Sequence, residues 1–325
     1  MSDLHLPDQR ESGTINQSTV PWVERQGIPP LLFAFLVLIL IFFLYQVIGG
    51  FLILILFGIE PLNENIFGYR LATGLGQILL ILLPTLVLVR LATNQPKAYL
   101  RIAPSRPSVL LLPLIGIISL QQMLQIYMVF QERLPLPQDM QSVMEKFQDL
   151  FENLYLKLIG SSSVPELLWV ITVVALIPAL AEELMFRGLI QRSMEKSFSP
   201  LKSILITGFI FGAYHMNPFS FIPLVVIGIY LGFILIRSGS IWVPILSHFV
   251  NNAFACVALY FQWKDDYMIV GNTGEMSTTG LLATFWLFGV IFLLSSMYFI
   301  KITGKTGASL SRTAEGSNQE EDKNG

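Results

Sequence analysis

The sequence predicts an all-α fold: a polytopic membrane helix bundle of about eight transmembrane helices. Three observations carry that expectation. Hydrophobic residues make up 53% of the 325-residue chain and charged residues only 13%, with a mean hydropathy of +0.63, outside the range of an ordinary soluble domain. The apolar residues fall in long uncharged runs, and crossing the hydrocarbon layer takes roughly 20 such residues in helical form. The runs are separated by short stretches in which charges and prolines collect. With a net charge of −2 and no basic cluster or phosphate loop, no nucleic-acid partner is expected. The single cysteine, Cys256, excludes an intramolecular disulfide.

Taken in order, the polar N-terminal segment 1–29 lacks the charged-then-apolar order of a cleavable signal, so the first span is expected to stay in the mature protein. That span is Leu31 to Phe57, with Gly49 and Gly50 able to permit a bend. Leu71 to Leu91 is the second, and its Gly74, Gly76 and Gln77 suit a face packed on other helices. Ser108 to Phe130 is the third, its Gln121, Gln122 and Gln125 suited to hydrogen bonds between helices. Between Gln131 and Pro165, Phe147, Leu150, Phe151, Leu154 and Leu158 recur at helical spacing opposite Lys146, Asp149, Glu152 and Lys157. This pattern predicts an amphipathic helix lying on the membrane surface. The fourth span starts near Glu166 and runs to Gln191. A short fifth, Ser203 to Tyr214, stops at His215 and Asn217-Pro218, and the sixth to eighth are Phe221 to Ile236, Ile241 to Phe261 and Leu281 to Ile300. The transmembrane domain is thus 30–302, with a motif-bearing core at 165–261 and a disordered polar tail at 303–325. Arg90, Lys97, Arg101, Arg106, Arg192, Lys196, Lys202 and Arg237 fall on the same side as both termini, which places the termini in the cytoplasm and the protein in the plasma (inner) membrane.

The fourth span carries Glu182, Glu183 and Arg187 within an otherwise apolar helix, and ionisable residues in hydrocarbon mark function by default. Glu183 and Arg187 stand four apart in the favourable order for an ion pair. Glu182 points about 100° away and has no basic residue one turn on, so its partner must come from another helix. Counted from the helix ends, His215 and His248 reach a similar depth, and Asn252 follows His248 by one turn on the same face. Phe211, one turn before His215, reads as a packing residue that holds the imidazole. A carboxylate in such a cavity is a plausible general base, and with a histidine it can activate water while imidazole and carboxamide donors stabilise an oxyanion. Two histidines and a carboxylate can equally hold zinc. The residues alone leave both mechanisms open.

These segments resemble a known family. Glu182-Glu183-Leu184-Met185-Phe186-Arg187 looks like an EExxxR motif, Phe211 to His215 like FxxxH, and His248 to Asn252 like HxxxN, in the order found in the type II CAAX prenyl endopeptidase and bacteriocin-processing (CPBP) intramembrane peptidases. The resemblance implies a hydrolase of CAAX-protease type acting on a peptide or membrane-protein substrate in a lipid bilayer. It implies that Glu182 activates water with His215, His248 and Asn252 completing the catalytic site, and that Glu183, Arg187 and Phe211 support it. Members have been described both as metalloproteases and as metal-independent glutamate peptidases, so the resemblance leaves open Zn2+ on His215, His248 and Glu182. The alternatives are a proton-coupled transporter and a non-catalytic scaffold or immunity protein of the same fold. Transport fits less well, because the polar residues crowd into spans four to seven without a matching earlier half. Every aspartate lies outside the expected spans, which removes an aspartyl mechanism, and there is no HExxH or GxSG motif.

Overall fold

Long apolar runs become helices in a membrane because each backbone N–H must find a carbonyl within its own segment. A computed structural model describes residues 20–58, 65–133, 138–261 and 276–321, with side chains over 20–58, 65–133, 146–261 and 276–304. Among the described residues every regular element is helical. Seven helices are long and apolar enough to cross a membrane: α1 Pro30–Phe57, α2 Ile66–Ala92, α3 Pro107–Glu132, α5 Val164–Glu195, α7 Phe221–Ser238, α8 Trp242–Tyr260 and α9 Thr278–Gly304. The surface helix α4 is Gln138–Ile159, and α6 is the shorter apolar helix Pro200–Tyr214. Counting α6, the bundle has eight apolar helices among the described residues, as expected. The outward faces of α1 and α9 are apolar along their middle turns, with Phe51, Ile55, Leu56, Trp286, Leu294 and Met297 more than 45% exposed, and the chain is that of an integral membrane protein. The N-terminal segment up to residue 19 and all but the first two residues of the expected tail 303–325 lie outside the described side chains.

Four stretches widen into π-helix: Phe43–Gly49, Ile78–Leu82, Thr172–Leu176 and Leu184–Gln191. The second and third lie just ahead of Pro84 and Pro178. A proline has no N–H to return to the carbonyl four residues back and its ring crowds that carbonyl, so a local widening relieves both. The freed carbonyl ahead of Pro178 is that of Val174, and it accepts a hydrogen bond from Asn252 Nδ2 of α8 at 3.3 Å. A helix-breaking residue in α5 thus becomes an attachment point for α8.

At 15 residues α6 is only about 22 Å long, short of a roughly 30 Å hydrocarbon layer. Its C-terminus therefore ends inside the bundle, with His215 at that end. Helices α6 and α7 approach closely because glycines face each other. A Cβ on Gly208 would lie 2.8 Å from the Ile229 backbone nitrogen, and one on Gly228 would lie 3.0 Å from Gly208 Cα.

Two ionic clasps hold opposite ends of the bundle. Arg70 of α2 is 3% exposed; its guanidinium donates to the carbonyls of Leu158 at 2.9 Å, Lys157 at 2.8 Å and Gly160, and to Glu166 Oε1 at 2.8 Å. These are the open carbonyls at the end of α4, so one side chain caps the surface helix and ties it to the start of α5. At the other end Glu195 of α5 pairs with Arg101 and Arg192 and accepts from Gln191, while the Arg101 carbonyl receives Ile241 N at 3.0 Å. These contacts extend α5 to Glu195, four residues past its expected end at Gln191.

Replacing Arg70 with Gln removes the donors of three carbonyls at once, while Glu166 keeps its hydrogen bonds from Ser162. Arg70→Gln is expected to lower stability by on the order of 3 kcal/mol, read as a lower unfolding temperature in detergent. Cleavage within 146–159 by an added protease should rise in parallel.

Candidate functional site

The two adjacent glutamates of α5 enter different surroundings because neighbouring positions on a helix diverge by about 100°. Glu183 is completely buried. Its Oε1 accepts from Arg187 Nη1 at 2.9 Å and from His248 Nδ1 at 2.8 Å. Arg187, 1% exposed, also donates through Nη2 to the Gly228 carbonyl at 3.0 Å and lies 4.5 Å from the centre of the Phe211 ring. One carboxylate therefore joins α5 to α8 directly, and through the guanidinium to α7. The π-helical turn Leu184–Gln191 begins immediately after Glu183 and carries Arg187.

Glu182 has a different partner. Its Oε2 lies 3.7 Å from His215 Nε2, beyond hydrogen-bond length, and has no hydrogen-bond partner among the described residues. The His215 tautomer follows from its other nitrogen. Nδ1 stands 2.7 Å from the Phe211 carbonyl, which can only accept, so Nδ1 carries a proton and Nε2 is the nitrogen turned to Glu182. The end of α6 imposes this arrangement: its final carbonyls need donors, and His215 Nδ1 serves Phe211 while Gln46 Nε2 of α1 serves Tyr214 at 2.9 Å. His215 keeps 31% side-chain exposure and Glu182 14%, against 0% for Glu183.

Phe211 lies between the two imidazoles. Its ring centroid is 4.7 Å from that of His215, 5.9 Å from His248 and 5.1 Å from Phe186. Glu182, Glu183, Arg187, Phe211, His215 and His248 are thus brought together from α5, α6 and α8. The histidines divide between the glutamates, His215 facing Glu182 and His248 bonded to Glu183. Asn252 braces α8 on the Val174 carbonyl and accepts from Asn251 Nδ2 at 3.2 Å, with one amide hydrogen still free. Among the described residues no three His, Cys, Asp or Glu side chains are placed to hold a metal ion. The hydrogen bonds of the two imidazoles use Nδ1 and leave each Nε2 open, which is also how a metal-ligating histidine is held, so the chemistry of the donors suits zinc although they are not gathered as a ligand set. Sequence reasoning missed the bond between His248 and Glu183, because periodicity fixes the face of a residue on its own helix and not the rotation of the neighbouring helix. It also placed no residue of α1 beside Glu182, although Tyr45 and Gln46, polar residues within an apolar run, are a visible signal.

With this geometry in hand, comparison with known families has a definite meaning. Residues 164–254 match the family model of the Rce1-like type II CAAX prenyl endopeptidases. The matched stretch opens at the first residue of α5 and closes just beyond Asn252, so it holds all the motif residues above, and it agrees with the resemblance seen in the three motifs. It leaves α1 to α4 and α9 unmatched. No curated protein and no solved structure matches the chain.

The unequal surroundings of the two glutamates lead to unequal losses. Glu183→Gln leaves a buried guanidinium without its counter-charge and is expected to destabilise by roughly 3–5 kcal/mol, partly recovered by adding Arg187→Gln. Glu182→Gln removes no protein hydrogen bond from Oε2 and should shift the unfolding temperature in detergent little. Equal losses for the two variants would contradict the assignment.

Proposed function

We propose that this chain is an intramembrane endopeptidase in which Glu182 and His215 activate the water that hydrolyses a peptide bond. The observation that carries the proposal is the 3.7 Å gap between a carboxylate oxygen without a protein partner among the described residues and an imidazole nitrogen. In this mechanism Nε2 acts as an acceptor, and a water donating one hydrogen to it and one to Glu182 satisfies both. Such a water keeps a lone pair free for a substrate carbonyl. On attack, its oxygen bonds to the carbonyl carbon and Glu182 takes its proton. Collapse breaks the C–N bond, and the same carboxyl returns the proton to the departing nitrogen.

His248 supplies the electrostatic part. Its Nδ1 proton is held on Glu183, which orients the ring. A hydrogen on its Nε2, with the remaining amide hydrogen of Asn252, stabilises the oxyanion. Glu183 and Arg187 keep His248 in place, and Phe211 fixes the spacing of the two rings. In this mechanism water activation needs no metal. The family match over 164–254 supports a CAAX-type membrane endopeptidase acting on a peptide in the bilayer.

The basic residues give the orientation: both termini cytoplasmic, α4 on the outer face, and the site approached from the cytoplasmic half. Reporter fusions at positions 62, 140 and 270 should read external and fusions at 100, 198 and 310 internal; the reverse pattern would invert the topology. The reaction is tested by comparing the proteomes of membranes carrying wild type or Glu182→Gln, followed by cleavage of the candidate substrates in detergent. A product that depends on Glu182 and survives chelator is expected. Loss with chelator and recovery with zinc would replace this mechanism with a metal-dependent one. Glu182-dependent solute uptake with no product would replace it with transport.

A further inference from the structure

Around the free oxygen of Glu182 lies a second set of polar groups that the motifs do not contain. Tyr214, the last residue of α6, has a buried hydroxyl with no hydrogen-bond partner among the described residues. Its ring is held edge-on by Phe42 at 5.6 Å and Phe186 at 5.4 Å, so the hydroxyl is the only part of the side chain without a role. Tyr45, in the π-helical turn of α1, lies with its ring against Gly76 of α2, next to Gln77, whose Oε1 is buried without a partner among the described residues. Gln46, the neighbour of Tyr45, donates to the Tyr214 carbonyl, and His215, the neighbour of Tyr214, faces Glu182, so both phenols lie beside the site. The other charged or titratable groups that face Glu182 are His215 and Arg187. Three buried polar atoms without protein partners, Glu182 Oε2, Tyr214 Oη and Gln77 Oε1, thus gather where α1, α2, α5 and α6 meet. Buried polar atoms in native proteins are satisfied by protein or by ordered water, and a polar cluster of this kind suits water.

We propose that Tyr45 and Tyr214 are positioning residues whose hydroxyls, linked by ordered water, donate toward Glu182 Oε2 and hold its carboxylate aimed at the attacking water. The need for them is physical. Arg187 is committed to Glu183 and Gly228. Glu182 Oε2 has no hydrogen-bond partner among the described residues, so donors reaching it through water are what fix its direction. The inference rests on the hydrolytic reading of the site. It gives the first two helices, which lie outside the family match, a part in the chemistry.

Tyr→Phe substitutions test this, since they remove a hydroxyl and leave the packed ring. Tyr214→Phe is expected to lower kcat about tenfold, the size of one hydrogen bond to a charged group, with KM unchanged. Tyr45→Phe should do the same, and the double variant should lose less than the product of the two, as members of one network do. An unaltered unfolding temperature would separate this from a packing defect. A second measurement does not need the substrate: a structure of the protein in lipid that resolves solvent. It should show water within hydrogen-bond reach of Glu182 Oε2 and Tyr214 Oη, lost or displaced in Tyr214→Phe. Wild-type kcat in both single variants, with Glu182→Gln still inactive, would overturn the positioning role and leave the peptidase reading standing. No solvent at this point, or solvent unmoved by the substitution, would overturn the network itself. Absence of any Glu182-dependent cleavage would remove the hydrolytic reading, and with it the positioning role, even if the water were seen.

Discussion

A carboxylate with no access to water is the constraint around which this bundle is arranged. Glu183 sits inside a helix surrounded by apolar residues, where an unpaired charge costs several kcal/mol. Its charge is balanced by Arg187 one turn along and its Oε1 is shared with His248 of another helix. Each partner commits further groups. Arg187 needs the Gly228 carbonyl, which it reaches because α6 and α7 pack with glycine against glycine. His248 needs α8 held at a fixed rotation, which the bond from Asn252 to the Val174 carbonyl supplies. That carbonyl is open because Pro178 cannot serve it. A chain of compensations thus runs from one buried charge to the relative placement of four helices.

With Glu183 occupied in this way, its neighbour is left free for chemistry. Adjacent identical residues can play opposite parts because a helix turns about 100° between them. Glu183 points into the closed interior, and Glu182 points toward the partly open end of α6, where His215 turns its Nε2 to it. The short length of α6 is what brings a helix terminus, with its unsatisfied carbonyls, to this depth. His215 and Gln46 satisfy those carbonyls, so the same local requirement that ends the helix also sets the tautomer of the histidine.

Much of the architecture was legible in the sequence for simple reasons. Hydrocarbon demands long uncharged helices, and the eight apolar runs stand out at once. The apolar residues of α4 recur on one face, and Glu183 and Arg187 stand at the spacing of a pair that forms at 2.9 Å. The less legible features all depend on how one helix is turned against another. Helical spacing put His248 near the glutamates but not on Glu183 in preference to Glu182, a choice that rests on helix rotation. The π-helical turns change that rotation locally, and of the four only those ahead of Pro84 and Pro178 had a visible cause. The glycines of α6 and α7, spaced four apart at Gly208 and Gly212 and at Gly228 and Gly232, were a readable sign of close packing. The clasp of Arg70 is not legible at all, because most of its partners are backbone carbonyls, which leave no trace in the side-chain pattern.

The central claim is that the two glutamates are divided between two histidines, and a pair of double-mutant cycles on thermal unfolding in detergent tests it most directly. One cycle joins Glu183→Gln with His248→Gln, and the other joins Glu182→Gln with His248→Gln. Groups in contact couple by on the order of 1 kcal/mol, and groups without shared partners do not. The arrangement described here requires coupling in the first cycle and additivity in the second. Coupling between Glu182 and His248, with additivity between Glu183 and His248, would contradict it.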